Sequence, residues 1–426
     1  MVGSKERLRP LWWVTPVGGL LLVAPLSLAL AATRSDTSFR RLWGTPKYLT
    51  TSGVELFAAA GLVFVVGVLI VMNLSARQGW RWVERIRELR PLLISASGPL
   101  FWITMTGYVA YVGLAGYRGV GPSDLALVFS DAPGILLKDR IGTLPGVTTL
   151  TQVGVATAVT CALVLGSGWH RQTCVRLAIV SLTASARALL LSERLALLEV
   201  MVPVAVVLFT AASTSLRRRS VLGAAPIAML PVLAGFFALF EYFRSWDFYR
   251  QQDNNGFTQF VLDRFAGYYA TAYNNGQIFL EFGTFPGRLP YDTLAGLWAA
   301  PGLAQAGLYD RLASGSATNA YQAALAQHGN PEFNNPGGFA QPFVDWGVLG
   351  GLTWFFVAGL AVGWLYCAFR AGSLFGLLLY PVAFTGVLEL PRYVYWSQGR
   401  TTPAVVGLLA TALWIRRQRV TATLRT

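Results

Sequence analysis

The chain has 426 residues, of which 54% are hydrophobic and 13% charged, and its mean hydropathy is +0.49. A soluble domain carries about 25% charged residues, so a soluble globular fold is excluded. The net charge of +14, from 34 Lys+Arg against 20 Asp+Glu, would suggest nucleic acid in a soluble chain; here it reads as a topology signal, and no nucleic-acid partner is expected.

In chain order, the basic start "MVGSKERLRP" runs into an apolar stretch without a small-residue cleavage site. It is read as leading into a first span, not as a removed signal. Apolar runs then predict about ten membrane helices, over 11–32, 53–73, 93–115, 146–166, 176–191, 195–213, 222–242, 344–366, 374–390 and 401–415. The division is a membrane bundle over 1–242, a long polar stretch over 243–343, and closing helices with a basic tail over 344–426. The short segments 74–92, 167–176, 214–221 and 367–373, and the tail after 415, are rich in arginine. The positive-inside rule therefore puts both termini in the cytoplasm. The basic segment 33–52 on the opposite side is the exception. Cys161, Cys174 and Cys367 are scattered, which suggests neither a disulfide framework nor a zinc site.

The polar stretch 243–343, about a hundred residues of one outer segment, is long enough to carry function. Charges at the ends of spans are costly and mark candidate sites. They gather in four places. "RALLLSERLALLE" holds Arg187, Glu193, Arg194 and Glu199; "DRFAGYYATAYNNGQ" holds Asp263, Arg264, Tyr268, Tyr269, Asn274 and Asn275. "HGNPEFNNPGGFAQPFVD" holds His328, Glu332, Asn334, Asn335 and Asp345; "ELPRYVYWSQGR" holds Glu389, Arg392, Tyr395 and Arg400. Arg140, ahead of the fourth span, is a further candidate. Converging arginines suit a phosphate group, and amides with aromatics suit sugars. Together they point to a glycan on a lipid pyrophosphate. No DxD pair is present to hold a divalent ion against a diphosphate, so neither metal nor cofactor is expected.

Each group also has a structural reading. Glu193–Arg194 and Glu389–Arg392 fit ion pairs. Arg392 and Arg400 fit residues reaching for headgroups. The aromatics at 393–396 fit an interfacial belt. Asp345 fits a cap on the helix it precedes. Gly347 and Gly351 fit close helix packing, and His328 fits a surface residue.

"FNNPGGFAQPFVDWGVLGG", ending in Asp345, Gly347 and Gly350, resembles the signature of Wzy-type O-antigen polymerases, the oligosaccharide repeat unit polymerases. "RFAGYYATAYNNG" and "SERLALLE" resemble further stretches of that family. Pro336-Gly337-Gly338 stands where its Asn-loop motif carries a threonine. The resemblance implies a glycosyltransferase-C-like bundle at the outer face of the bacterial inner membrane, joining undecaprenyl-pyrophosphate-linked repeat units. The donor and acceptor would both be lipid-linked oligosaccharide, with a flippase and a chain-length regulator as partners. On that basis Arg264, Arg392, Arg400 and Arg194 would hold the pyrophosphate, with Arg187, Glu193 and Glu389 beside them. Asp345, then Glu332 or His328, would act as base, and Tyr268, Asn274, Asn275, Asn334, Asn335 and Tyr395 would bind sugar. An O-antigen ligase-type enzyme shares this layout. A lipid-linked glycan transporter or flippase is the reading from another class.

Overall fold

The computed structural model describes residues 11–75, 82–127, 134–191, 193–213, 216–246, 249–250, 256–283, 289–313 and 320–423. Among them the regular elements are all helices. Seven are long and apolar enough to cross a membrane: Pro16–Thr33, Thr51–Leu74, Trp82–Tyr117, Thr148–Ser167, Arg171–Leu190, Arg194–Ala212 and Gln341–Arg370. Two shorter apolar helices, Ala225–Glu241 and Leu374–Glu389, fall on expected spans, and Thr402–Thr423 covers the last. The chain is thus a helical, multi-pass, membrane-embedded protein. The N-terminal tail through Pro10, Arg77, Arg81 and Arg425, used in the topology argument, lie outside the described residues.

Helix starts follow local chemistry. Thr15, Ser35, Thr50, His170 and Ser373 each accept a hydrogen bond from the backbone N–H three residues on, satisfying a donor that the first turn leaves free. Several helix ends are closed by cations, which suit the negative end of the dipole. Arg90 donates to the Trp169 carbonyl at 2.9 Å, and Arg370 to the Ser75 carbonyl at 2.6 Å. Lys47 donates to the carbonyls of Ala32 and Arg34, both at 2.7 Å. This accounts for part of the positive charge in 33–52. The rest, Arg34, Arg40 and Arg41, stays exposed around the short helix Asp36–Trp43, which buries Phe39 and Trp43.

Helix Val153–Ser167 is the most enclosed, with every side from Val153 to Val164 buried. Its Val, Ala, Gly and Thr side chains let neighbours approach on all sides. The broadest seam joins Thr51–Leu74 to Gln341–Arg370. A Cβ on Gly359 would meet the Phe64 carbonyl oxygen at 2.2 Å, and one on Gly67 the Phe356 oxygen at 2.5 Å. The close packing expected at Gly347 and Gly351 is therefore made further along, at Gly359 and Gly363. Gly347 instead breaks the helix, with φ 71° and ψ −177°. Gly351 lies against the ring of Phe343 from its own helix.

The largest departure from the sequence reading lies in 243–343. Gly256–Phe282 is a continuous helix of 27 residues, and it buries Ala270 through Gly276 inside the bundle. Tyr273 hydroxyl meets Ser27 Oγ at 3.1 Å, Phe57 packs against the Tyr273 ring, and Trp43 Nε1 donates to the Asp263 carbonyl at 2.9 Å. The helix escaped an apolar-run reading because its buried face carries Asn274 and Asn275, whose polar groups are met by loops distant in sequence.

Candidate functional site

The loop end of the bundle gathers ionised side chains from many helix ends. Arg187 ends Arg171–Leu190. Glu193 sits in the break before Arg194–Ala212, which carries Arg194 and Glu199. Glu241 ends Ala225–Glu241, Glu389 ends Leu374–Glu389, and Arg400 precedes Thr402–Thr423. Helix Gly256–Phe282 contributes Arg264, and the loop before Gln341 contributes Glu332 and Asn335.

These side chains form a row. Lys138 Nζ lies 2.8 Å from Glu193 Oε1, and Arg187 lies 2.7 Å from Glu193 Oε2 and donates to Thr151 Oγ1 at 2.8 Å. Arg400 grips Glu199, Nε to Oε1 at 2.7 Å and Nη2 to Oε2 at 2.9 Å. Arg392 pairs with Glu389 at 2.8 Å and reaches Asn335 Oδ1 at 3.3 Å. Arg194 pairs with Glu241 and donates to the Tyr268 hydroxyl at 3.3 Å. Arg264 lies 3.3 Å from Glu241 Oε2 and 2.6 Å from Glu332 Oε1, whose other oxygen accepts from the Tyr249 hydroxyl at 2.6 Å. Aromatic faces complete the walls: Phe237 and Tyr268 under Arg194, Phe333 under Arg264, and Tyr393 beside Arg392. Tyr395 is buried in the same wall, its ring 6.4 Å from that of Tyr393.

The sequence placed these arginines together, and so does the fold. It also pairs each of them with a carboxylate, so within this set the positive excess is slight. Buried ions are tolerated only when paired. Glu193 partners Arg187 and Lys138, not Arg194 as expected. Several donors stay unmatched even so. Arg194 Nε, Arg392 Nε, Asn335 Nδ2 and the Tyr393 hydroxyl are buried without a hydrogen-bond partner among the described residues. Asn335 itself is 7% exposed. Buried polar groups are nearly always satisfied, so a cluster of orphaned donors beside guanidinium groups suits a bound anion.

The asparagines divide by role. Asn274 Oδ1 accepts from Tyr48 N at 2.7 Å and Leu49 N at 3.0 Å, while its Nδ2 donates to the Pro46 carbonyl at 2.9 Å. Asn275 Nδ2 donates to the carbonyls of Phe333 and Asn335. Both are buried clamps that shape the loops. Asn334 is exposed, and with Asn335 it remains able to meet a ligand.

Asp345 is a different kind of clamp. Its Oδ1 accepts from Tyr291 N at 3.0 Å and Asp292 N at 3.2 Å; its Oδ2 accepts from Thr293 N and Thr293 Oγ1, both at 2.6 Å. It caps the turn at Asp292–Leu294 in the 243–343 stretch, not the helix that carries it. Asp292 then stands beside it. Gln341 Nε2 donates to Asp292 Oδ1 at 3.0 Å, and Gln341 Oε1 accepts from Val394 N at 2.7 Å, tying this carboxylate to the segment after Arg392. Burial, then the negative charge of Asp345, pushes Asp292 up to about 7.

Two candidates stand apart from the row. His328 stacks on Phe282 with ring centroids 3.7 Å apart, and its Nδ1 lies 3.5 Å from the Tyr48 hydroxyl. Arg140 pairs with Asp124 at 2.9 Å on an exposed surface. Glu241 and Asp292 were not singled out in the sequence. Glu241 had a signal, a lone carboxylate closing an apolar run; Asp292, in "LPYDTL", had none. Among the described residues no three His, Cys, Asp or Glu side chains gather to hold a metal. No protein-family model, curated protein or solved structure matches the chain.

Proposed function

We propose that this chain is a metal-independent glycosyltransferase that joins polyprenyl-pyrophosphate-linked oligosaccharide repeat units into a cell-surface polysaccharide. The observation that carries the reading is the half-buried arginine row with unmatched buried donors, Arg194 Nε, Arg392 Nε and Asn335 Nδ2, at the loop end of a membrane bundle. A pyrophosphate leaving group gains from such donors, which would meet the negative charge it develops as it departs. Aromatic faces and the exposed Asn334 suit a glycan above it. In this reading about ten spans form a glycosyltransferase-C-like bundle in the bacterial inner membrane, with both termini cytoplasmic and the arginine row facing outward.

The glutamates hold the arginines in place while the site is empty, and the pyrophosphate competes for the same guanidinium groups as it binds. Arg392 is the residue best placed to follow charge onto the leaving group, having both a free Nε and a link to Asn335. Arg392→Ala is expected to lose about 100-fold or more in turnover. The reading is tested by deleting the gene in its host and resolving both surface glycan and the lipid-linked pool. A ladder collapsed to one repeat, with single lipid-linked units accumulating, is the expected result. Full-length polymer trapped on the lipid carrier would identify a ligase instead. An unchanged ladder overturns both and favours a transporter.

A further inference from the structure

Asp292 has a committed backbone and an uncommitted side chain. Its N–H donates to Asp345 Oδ1 at 3.2 Å, and its carbonyl accepts from Ser397 Oγ at 2.7 Å. Its carboxylate accepts from Gln341 Nε2, the one donor that reaches it among the described residues. Asp345 opposite receives three backbone N–H groups and a hydroxyl. Those donors fill the acceptor positions of Asp345, while its half-buried neighbour Asp292 receives one. Asp292 is the carboxyl group of the two with room to exchange a proton.

Its position matters as much. Gln341 and Ser397 attach the Asp292 turn to the segment Arg392–Arg400, whose two ends carry arginines of the row. Titratable groups that feel Asp292 include Tyr309, on the helix Leu308–Ala313, which also feels Asp310, and Tyr321, on Ala320–His328. Burial pushes Tyr309 up to about 12 and raises Tyr321 as well, so both stay neutral near pH 7. Arg400 on the neighbouring segment is committed to Glu199. A carboxyl group with one hydrogen-bond donor, tied through Gln341 and Ser397 to the segment that carries Arg392 and Arg400, meets the requirements of a general base.

We propose, building on the glycosyltransferase reading, that Asp292 is its general base and takes the proton of the acceptor sugar's hydroxyl. The hydroxyl oxygen bonds to the anomeric carbon of the donor glycan. The bond from that carbon to the pyrophosphate breaks, and the departing lipid pyrophosphate keeps the electron pair at the arginine row. The hydroxyl proton passes to Asp292, which returns it to solvent before the next turnover. Asp345 fixes the turn that presents Asp292.

The test uses the full chain in lipid nanodiscs and, as probe, the lipid-linked oligosaccharide that accumulates in a strain lacking the gene. Wild-type kcat is expected to rise with pH through about 7 and then level. Asp292→Asn is expected to lose about 100-fold or more in kcat with KM little changed, and to lose that rise. Asp292→Glu should keep a rise, with its midpoint displaced. An Asp292→Asn enzyme with wild-type kcat and profile overturns the proposal. If that variant fails to fold, Asp292→Glu decides: a displaced midpoint supports the assignment and an unmoved one overturns it. A wild-type chain that consumes no lipid-linked oligosaccharide overturns the glycosyltransferase reading itself, a result distinct from an active wild type with an indifferent Asp292.

Discussion

At the scale of single residues, Asp345 shows how a motif residue can be visible in sequence while its partner is not. A carboxylate ahead of glycines and an apolar run reads as a helix cap or a base. Its donors come from residues 291–293, more than fifty positions away, with no local pattern to announce them. Removing it orphans buried N–H groups, each costing about 1–3 kcal/mol. Asp345→Ala is therefore expected to lower thermal stability and yield of the purified protein, and a variant melting with the wild type would remove the structural role. Asp292 has the opposite signature. Burial and the neighbouring Asp345 raise its folded pKa from the ordinary aspartate value, about 4, to about 7, so the folded state holds more protons than the unfolded state between those values. Stability contributed by Asp292 is fully present below about pH 4 and is lost as pH rises through about 7. Asp292→Asn should flatten that decline, which thermal melts across pH 5–8 would reveal. An unchanged decline would assign it to other groups.

At the scale of elements, apolar length located most spans, because a helix facing lipid must be long and greasy. The same rule missed Gly256–Phe282. That helix hides among other helices, and its asparagines are satisfied by the 46–49 and 333–335 backbone. It also misplaced the small-residue seam, since Gly347 and Gly359 look alike in a sequence and differ in what lies opposite. Gly359→Leu places a side chain where the backbone of Thr51–Leu74 already stands, and overpacking of this kind costs about 1–3 kcal/mol or more. Gly347→Ala meets backbone strain instead, about 1–3 kcal/mol, at a positive-φ extended conformation that glycine alone adopts readily. Melting temperatures of the two variants should fall in that order, and a Gly359→Leu protein as stable as wild type would contradict the seam.

At the scale of the molecule, the arginine row was legible as a concentration of charge at one end. The local pair Glu389–Arg392 was legible too, but the partners that Glu193, Glu199, Glu241 and Glu332 take were not, because those depend on which helix ends meet. The pairs predict unequal single variants. Glu199→Gln leaves the half-buried Arg400 without its bidentate partner, a loss of up to about 3 kcal/mol, whereas Glu199→Gln with Arg400→Gln should recover much of the stability. Equal losses in the single and double variants would show that the two residues do not interact. A last consequence concerns biogenesis. The polar helix Gly256–Phe282 is held by Asn274 to residues translated long before it and by Asn275 to residues translated after it. It can enter a membrane bundle only once both sides are made, so its docking must come late, after the greasy spans are already in place. A chain ending before residue 330 should therefore expose this helix to protease, and the full-length chain should protect it.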